Sequence, residues 1–461
     1  MKQQVLSRTS LHCNALFPLP HQQFEQETSA PFLIGQYELN ESNKELREGR
    51  IDLVSLVAAQ QQQSSSSARF SLETKCSLGL KCGVFDIVPV WSTSSNQINQ
   101  QKVAAGCTDG SVKLISVAGE NEDDDNNGES TSVSYNISVD QSFGMGDEMV
   151  TSCFVHQHDE PASVFIASTH HKGTISILKQ HQGSSTATKP FRLSFEAHEY
   201  DAWSIAPAFN EINTPESTVF FSGGDDAKLK LWDLRTKMTF SSSSGEDPEN
   251  TNSCSDNDDD EVVRCQSHCS GFGAGVVSIV PQSANTLLVG SYDEHVYTID
   301  TRMLAPGGKS KPAAGEKAIV SKLRLGGGGW RLREISKATC QKSFGLSDDE
   351  LKTKKLFAVA AMQAGSEVFS YDTETNELSS VAWPGYENRW IHHTATKMEG
   401  QNDEKKEEKE EKEKKQDKDD GEEPLVYDVC QLGQGGKFLG GGAAAFATVS
   451  FYTNEVRCWL N

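Results

Sequence analysis

Four short segments of the sequence collect the side chains that could do chemistry. They offer carboxylates, imidazoles, aromatic rings and a guanidinium group, and three of them carry glycines that allow a backbone to approach closely. The segments are residues 197–203, 222–226, 290–295 and 326–332. Binding residues are commonly held on turns and loops by a rigid scaffold, so the elements around these segments decide which of them meet.

No familiar enzyme motif accompanies these segments. The sequence has no Gly-x-Ser-x-Gly elbow, no His-Glu-x-x-His, no P-loop and no Gly-x-Gly-x-x-Gly ahead of a helix. Its 11 cysteines are scattered without a CxxC pair, and Cys265, His268 and Cys269 form the tightest group. A structural zinc takes four ligands from paired knuckles, so we expect reduced thiols, no metal and no other cofactor.

A hairpin pattern that returns along the chain predicts the scaffold. Small residues and a turn residue precede two apolar positions, as in a hairpin that leads into a half-buried strand. The first apolar residues of the copies are Ile51, Val112, Ile175, Leu229, Val296, Val368 and Val456. Seven copies predict an all-β fold, a seven-bladed WD-repeat β-propeller that forms a single domain over residues 1–461.

Polar, low-complexity inserts stretch the spacing between copies beyond the ~40 to 45 residues of a compact WD repeat. Such segments bury too little apolar surface to order themselves. We therefore expect disordered inserts at about 60–67, 120–130, 241–261, 306–316 and 400–423. The last copy reaches only its third strand at Trp459, so the N-terminal segment 4–11 is expected to supply the outer strand and close the ring.

The fourth copy carries a polar tetrad in the positions at which WD repeats resemble one another. Its members are His198, Ser222, Asp226 and Trp232. Buried polar groups need partners, so we interpret the tetrad as structural. In the fifth copy Val289 and Ile299 replace the Ser and Trp, which leaves the turn at Asp293 free for another use.

Charge and hydropathy narrow the classes of partner. The formal net charge of −22 repels a phosphate backbone, so nucleic acid is an unsuitable ligand. No stretch approaches the ~18 to 20 apolar residues of a membrane span, and residues 1–19 lack the apolar core of a signal peptide. We expect a cytoplasmic, monomeric protein that does not bind membranes.

Taken together, five motifs resemble the diphthine methyl ester hydrolase family. They are His-Glu-Tyr-Asp-Ala-Trp, Ser-Gly-Gly-Asp-Asp before Leu-Trp-Asp-Leu-Arg-Thr, Gly-Ser-Tyr-Asp-Glu-His, Gly-Gly-Gly-Trp-Arg-Leu and the terminal Ala-Thr-Val-Ser-Phe-Tyr. The resemblance is clearest over residues 197–332 and weaker over about 12–460. The resemblance implies a WD propeller that removes a methyl ester from the modified histidine of translation elongation factor two.

The implied reaction assigns roles to the four segments. Ester hydrolysis needs a base and donors for the developing oxyanion. His295, Glu294 and His198 are the candidate bases, and Arg331 and the backbone amides of the glycine run 326–329 are the candidate donors. The implied substrate carries a trimethylammonium group, which aromatic faces bind. The candidate substrate-binding residues are Trp203, Tyr292, Trp330, Glu199 and Asp225.

The sequence alone is also compatible with two other functions. Propellers host many unrelated functions, so a non-catalytic scaffold for complex assembly is the main alternative, and a ubiquitin-ligase adaptor is a weaker one. A catalyst needs an ionisable cluster that faces one opening of the disc. A scaffold predicts instead an apolar rim without convergent histidines and acids.

Overall fold

The computed structural model describes most of the chain between residues 3 and 460. The described ranges are 3–9, 11–19, 30–38, 48–58, 70–92, 97–122, 132–159, 162–181, 190–209, 215–235, 265–307, 315–381, 389–390, 425–432, 445–450 and 452–460. The predicted inserts 60–67, 241–261 and 400–423 lie outside the described residues, as do most of 120–130 and 306–316.

The first three blades each contain four antiparallel strands, and strand β1 (Gln3–Arg8) precedes them. Blade 1 contains β2 (His12–Pro18), β3 (Ala30–Tyr37), β4 (Gly49–Ala58) and β5 (Phe70–Leu80). Blade 2 contains β6 (Val84–Ser92), β7 (Gln97–Cys107), β8 (Ser111–Glu122) and β9 (Ser132–Gly144). Blade 3 contains β10 (Val150–Asp159), β11 (Ala162–His170), β12 (Thr174–His181) and β13 (Phe191–Glu196). A short parallel pairing of β6 with β10 joins blades 2 and 3.

Blades 4 and 5 follow the same plan. Blade 4 contains β14 (Ala202–Phe209), β15 (Pro215–Gly224), β16 (Lys228–Asp233) and β17 (Ser267–Cys269). Blade 5 contains β18 (Val276–Ser283), β19 (Thr286–Ser291) and β20 (His295–Asp300). The two-residue β21 (Ala305–Pro306) returns to pair with β17, and β22 (Ile319–Arg324) completes blade 5.

Blade 6 adds helices between its strands. It contains β23 (Arg331–Glu334), helices α1 (Lys337–Phe344) and α2 (Glu350–Thr353), then β24 (Lys354–Ala360), β25 (Ser366–Asp372), β26 (Leu378–Ser380) and β27 (Arg389–Trp390). Ser336 caps the start of α1 through the backbone N–H of Thr339, and Gly345 ends it in the left-handed region. Blade 7 contains β28 (Val426–Leu432), β29 (Ala445–Ser450) and β30 (Glu455–Leu460). Short 3-10 turns lie at His171–Gly173, Thr301–Met303 and Glu316–Ala318.

The inner strands β2, β6, β10, β14, β18, β23 and β28 contact one another in sequence around a closed ring. Packing between blades buries both faces of an inner strand, and β14 is almost continuously buried. Outer strands such as β13 and β22 alternate half-buried and exposed side chains, because only one face meets a neighbour. The described residues therefore confirm a seven-bladed propeller, with residues 120–122 in β8 rather than in an insert.

The repeated hairpin pattern marks the third strand of every blade. Its seven apolar positions lie in β4, β8, β12, β16, β20, β25 and β30, and all are at most 4% exposed. The turn before this strand repeatedly contains a residue in the left-handed region, for example Lys172 (φ 67°), Ala227 (φ 52°) and Glu294 (φ 66°). Among the described residues, no helix is both long and apolar enough to span a bilayer.

Strand β1 closes the ring by pairing with β30 from Gln3↔Leu460 to Arg8↔Glu455. Deleting residues 1–9 leaves the outer-edge backbone groups of β30 unpaired, while those facing β29 stay paired, and opens an edge for aggregation. We expect loss of soluble protein, measured as soluble yield and thermal unfolding, with partial rescue by a peptide of residues 1–12. Unchanged yield and melting temperature would place the closing strand elsewhere.

Candidate active site

The tetrad of blade 4 is a continuous chain of hydrogen bonds. The Trp232 indole N–H donates to Ser222 Oγ (2.8 Å), and the Ser222 hydroxyl donates to His198 Nε2 (2.7 Å). His198 Nδ1 donates to Asp226 Oδ1 (2.8 Å), because the carboxylate can only accept. Both ring nitrogens of His198 are thus engaged within the protein. In this structure neither ring nitrogen of His198 is free to take a proton from water.

This chain predicts how stability responds to acid. Burial lowers the pKa of His198 below 6.5, although Asp226 opposes the shift. Because the unfolded state binds more protons, the free energy of unfolding falls as the pH drops below about 6.5. Urea unfolding at pH 7.5 and 5.5 measures the loss, which we expect to be smaller in His198→Asn. An equal loss in that variant would assign the acid sensitivity to other groups, such as His170, whose pKa burial also lowers.

Aromatic side chains from several blades meet at the end of the ring axis where the inner strands begin. We call this set the aromatic cluster; it comprises Tyr37, Phe85, Trp203, Tyr292, Trp330 and Tyr427. The ring centroids of Trp203 and Trp330 are 5.5 Å apart, and those of Tyr292 and Trp330 are 5.6 Å apart. The three rings named from the sequence therefore lie together. Trp330 is only 3% exposed and contacts both other rings, while Trp203 and Tyr292 are half-buried.

Two glycines make room for the ring of Tyr292. A Cβ at Gly328 would lie 3.3 Å from Tyr292 Cδ1, and a Cβ at Gly275 would lie 3.1 Å from Cδ2 on the other side of the ring. The same Cβ at Gly275 would collide with the Asp225 carboxylate. Gly275 and Gly328 therefore leave the space that the Tyr292 ring occupies in the cluster. Burial, followed by the charge of Asp225, raises the pKa of Tyr292, so the phenol stays neutral.

A histidine and two acids border the aromatic cluster on the side of blades 3 and 4. His171 Nε2 lies 3.1 Å from Asp201 Oδ2, and the His171 ring meets the edge of Trp203 at 6.5 Å. The other oxygen of Asp201 accepts from the backbone N–H of Lys172 (2.8 Å), which fixes the carboxylate. Burial, with Asp201 and Asp226 nearby, raises the pKa of Asp225, which also interacts with Trp203. This border is acidic and includes an oriented imidazole.

A buried ion pair crosses the ring axis beside the cluster. Arg331, the first residue of β23, places Nη2 3.1 Å from Asp86 Oδ1 of β6, and both side chains are less than 10% exposed. The guanidinium also lies 5.8 Å from the Trp330 ring centre. Among the described residues, neither Arg331 Nε nor Trp330 Nε1 has an acceptor. A buried donor without an acceptor costs about 1–3 kcal/mol, so these two N–H groups are suited to a ligand oxygen.

The other candidates make their described contacts outside the aromatic cluster. His295 Nδ1 donates to the Asp293 carbonyl (2.8 Å), and its ring centroid lies 5.8 Å from that of Tyr297, which belongs to the core between blades 4 and 5. Glu294 accepts from Arg324 (3.1 Å), and Glu199 accepts from Lys228 (2.9 Å). Within the described part of the chain, no hydrogen bond or ring contact joins these three side chains to the cluster.

Sequence reasoning missed His171, Asp201 and Asp86. The third copy of the hairpin pattern, at Ile175, served only as evidence of a blade, and Asp201 lay inside the segment 197–203 without a role. The available signal was the turn position, because residues 171–173 and 225–227 occupy the same hairpin turn in neighbouring blades. The pairing of Asp86 with Arg331 carries no sequence signal, because it depends on closure of the ring.

The curated proteins to which this sequence is similar are named as diphthine methyltransferases. The chain is 28% identical to a diphthine methyltransferase homolog of Dictyostelium discoideum over 165 residues, which is 35% of each chain. It is 26% identical to mouse diphthine methyltransferase over 39% of this chain and 28% of the mouse protein. The human diphthine methyltransferase matches at 29% over 30% of this chain and 22% of its own length. The matched regions thus span about a third or less of these relatives, and no protein-family model matches the sequence.

A solved structure supports the architecture. The Chaetomium thermophilum protein Sqt1, in a crystal structure with the N-terminus of the ribosomal protein L10, aligns over 99% of both chains with a TM-score of 0.50 and 12% identity. At that identity the likeness concerns the fold alone. The family resemblance seen in the motifs is confirmed by the sequence relatives.

Proposed function

Since this chain is related in sequence to diphthine methyltransferases, we propose that it is a carboxylic ester hydrolase that removes the methyl ester of diphthine from elongation factor two. The observation that carries the proposal is the aromatic cluster, which is bordered by two carboxylates and an oriented imidazole. A trimethylammonium group and an adjacent ester need these groups side by side. The ionisable border also distinguishes this opening from the purely apolar rim expected of a scaffold.

The half-buried rings of Trp203 and Tyr292 bind the cation in this proposal. A quaternary ammonium over an aromatic face gains about 0.5 to 2 kcal/mol per ring, more where water is excluded. Asp201 and Asp225 add negative charge beside Trp203. Burial, and after it the charges of Asp201 and Asp226, raise the pKa of Asp225, and a bound cation would favour its charged form.

His171 is the base in the proposed reaction. Asp201 accepts from Nε2, so Nδ1 is the nitrogen that takes a proton from water as its oxygen attacks the ester carbonyl carbon. Arg331 and the Trp330 indole N–H stabilise the resulting oxyanion. When the tetrahedral intermediate collapses, the leaving methoxide takes the proton from the imidazolium. The products are methanol and the free carboxyl group.

Intact-mass analysis of elongation factor two bearing the diphthine methyl ester tests the reaction. Hydrolysis by the purified chain lowers the mass by one methylene group and releases methanol. A methyl transfer to unmethylated diphthine would instead need an added methyl donor and would raise the mass. Unchanged mass in both assays would reject both activities.

A protein-binding scaffold is the second candidate function. Tyr200 lies between Glu199 and Asp201 and is 62% exposed, an uncommon setting for an aromatic side chain that has no partner to cover it. Binding of elongation factor two without a change in mass, weakened by Tyr200→Ala, would favour the scaffold. Turnover that survives Tyr200→Ala favours the hydrolase.

Removing one ring of the cluster tests cation recognition. In Trp203→Leu and Tyr292→Leu we expect KM to rise about 3- to 30-fold with a smaller change in kcat, because each ring contributes to ground-state binding. The matched control is Trp91→Leu, which removes a half-buried indole at the far end of β6. A substrate analogue with an uncharged tert-butyl group should not distinguish the variants from the parent. Equal losses for both substrates would mean that the rings serve packing alone.

A further inference from the structure

Blade 2 brings together two thiols and a carboxylate that the proposed reaction does not use. The thiols of Cys82 and Cys107 and one oxygen of Asp109 all lie within 4.8 Å of one another. Cys82 belongs to the loop before β6, Cys107 ends β7, and Asp109 lies in the turn to β8. Both thiols are at most 3% exposed, whereas the Asp109 side chain is 45% exposed. The cluster is therefore open to solvent on its carboxylate side.

Backbone contacts hold these segments in place. The N–H of Thr108 donates to the Gly83 carbonyl (3.0 Å), and the N–H of Gly83 donates to Thr108 Oγ1 (2.8 Å). In blade 4 the corresponding loop and turn are joined by His198 and Asp226 of the tetrad. In blade 2 the corresponding loop and turn carry two thiols and a carboxylate instead.

We propose that Cys82, Cys107 and Asp109 bind a thiophilic divalent cation of the zinc class. Thiolates and carboxylates are suitable zinc ligands, and three protein ligands leave the fourth tetrahedral position to water. Binding forms two metal–sulfur bonds and one metal–oxygen bond, and the two thiol protons pass to solvent. The sequence predicts no metal because Cys82 and Cys107 form no CxxC pair; the hairpin brings them together.

Lys113 completes the charge balance of the site. Its Nζ lies 3.5 Å from Asp109 Oδ2 and donates to Ser111 Oγ (2.8 Å). Two thiolates and a carboxylate leave a divalent ion with one surplus negative charge, which the ammonium group neutralises.

The site also supports the opening that carries the aromatic cluster. A Cβ at Gly83, next to Cys82, would collide with Tyr37, so the loop packs directly on that ring. Tyr37 in turn lies 6.4 Å from Phe85. A metal that fixes this loop stabilises the blade 2 side of the opening. The binding itself does not depend on the hydrolase proposal.

Cobalt titration of the reduced, chelator-treated full chain tests the proposal. We expect about one cobalt ion per chain, a thiolate-to-cobalt charge-transfer absorption, and displacement by zinc. Cys82→Ser and Cys107→Ser should abolish the absorption, and Asp109→Asn should weaken binding. The matched control is Cys265→Ser, which removes a half-buried thiol in blade 4 and should leave the signal unchanged.

The parental chain gives the first decisive result, since it needs no variant to fold. Absence of the charge-transfer absorption in the reduced parent would overturn the proposal. Its persistence in both serine variants, or its loss in Cys265→Ser alone, would overturn it as well. A chelator-induced fall in melting temperature that occurs in the parent and is absent in Cys107→Ser would support it.

Discussion

Replacing His171 with alanine is expected to lower ester hydrolysis by about 10² to 10⁴, the usual loss when a general base is removed. The side chain is 45% exposed and lies against the edge of Trp203, so its removal creates no buried cavity. The fold and the binding of elongation factor two should therefore survive. Single-turnover rates by intact mass, with thermal unfolding and a binding assay alongside, measure the three quantities separately.

Two histidine variants serve as comparisons. His181→Ala removes an exposed imidazole at the end of β12, so it should change nothing. His295→Ala tests the hypothesis drawn from the sequence, in which the fifth-copy turn supplies the base. Its ring contacts Tyr297, so we expect a change in stability rather than in rate. Parental turnover in His171→Ala together with loss in His295→Ala would return the role to His295.

Asp201 acts as a positioning residue for His171. Asp201→Asn keeps the shape and still accepts from the Lys172 backbone, but it removes the charge that faces the imidazole. We expect kcat to fall more than KM rises, because Asp201 orients His171 directly and attracts the bound cation without touching it. Addition of free imidazole should partly rescue His171→Ala and should not rescue Asp201→Asn.

The ring of blades could be predicted from the sequence because its signal is local. A turn followed by alternating apolar residues marked the third strand of each blade, and the degenerate copy at Ile51 and the distant copy at Val456 both lie at that position. The tetrad was also local in this sense, because WD repeats place such residues at fixed offsets within one blade. Closure by the N-terminal strand followed from counting strands in the last copy.

The candidate site could be predicted only in part, because its contacts join different blades. Trp203, Tyr292 and Trp330 come from three neighbouring blades and were named for their type. His295 was named because the fifth-copy turn lacks the Ser and Trp of a tetrad, whereas strand alternation turns positions 295, 297 and 299 to one face, toward blade 4. The contact of His171 with Asp201 depends on how the turn before β12 approaches the loop before β14. The spacing of apolar residues in the sequence carries no information about that approach.

Replacing Arg331 should lower both the rate of hydrolysis and the stability of the fold, and the two effects can be measured separately. Without its guanidinium the oxyanion loses a donor, and we expect kcat to fall by about 10² to 10³. Arg331→Met also leaves the Asp86 carboxylate buried without its partner, which is expected to cost about 3–5 kcal/mol of unfolding free energy. A simple loss of activity in this variant therefore does not distinguish catalysis from folding.

The double variant Arg331→Met, Asp86→Asn separates the two effects. The amide removes the isolated buried charge while keeping the size of the side chain, so urea unfolding should regain most of the lost free energy. Turnover should remain low because no donor is restored, and Asp86→Asn alone should keep a substantial rate because Arg331 is still present. Recovery of both stability and turnover in the double variant would mean that the pair only holds blades 2 and 6 together. Stability that recovers while the rate stays low assigns the Arg331 guanidinium to the oxyanion.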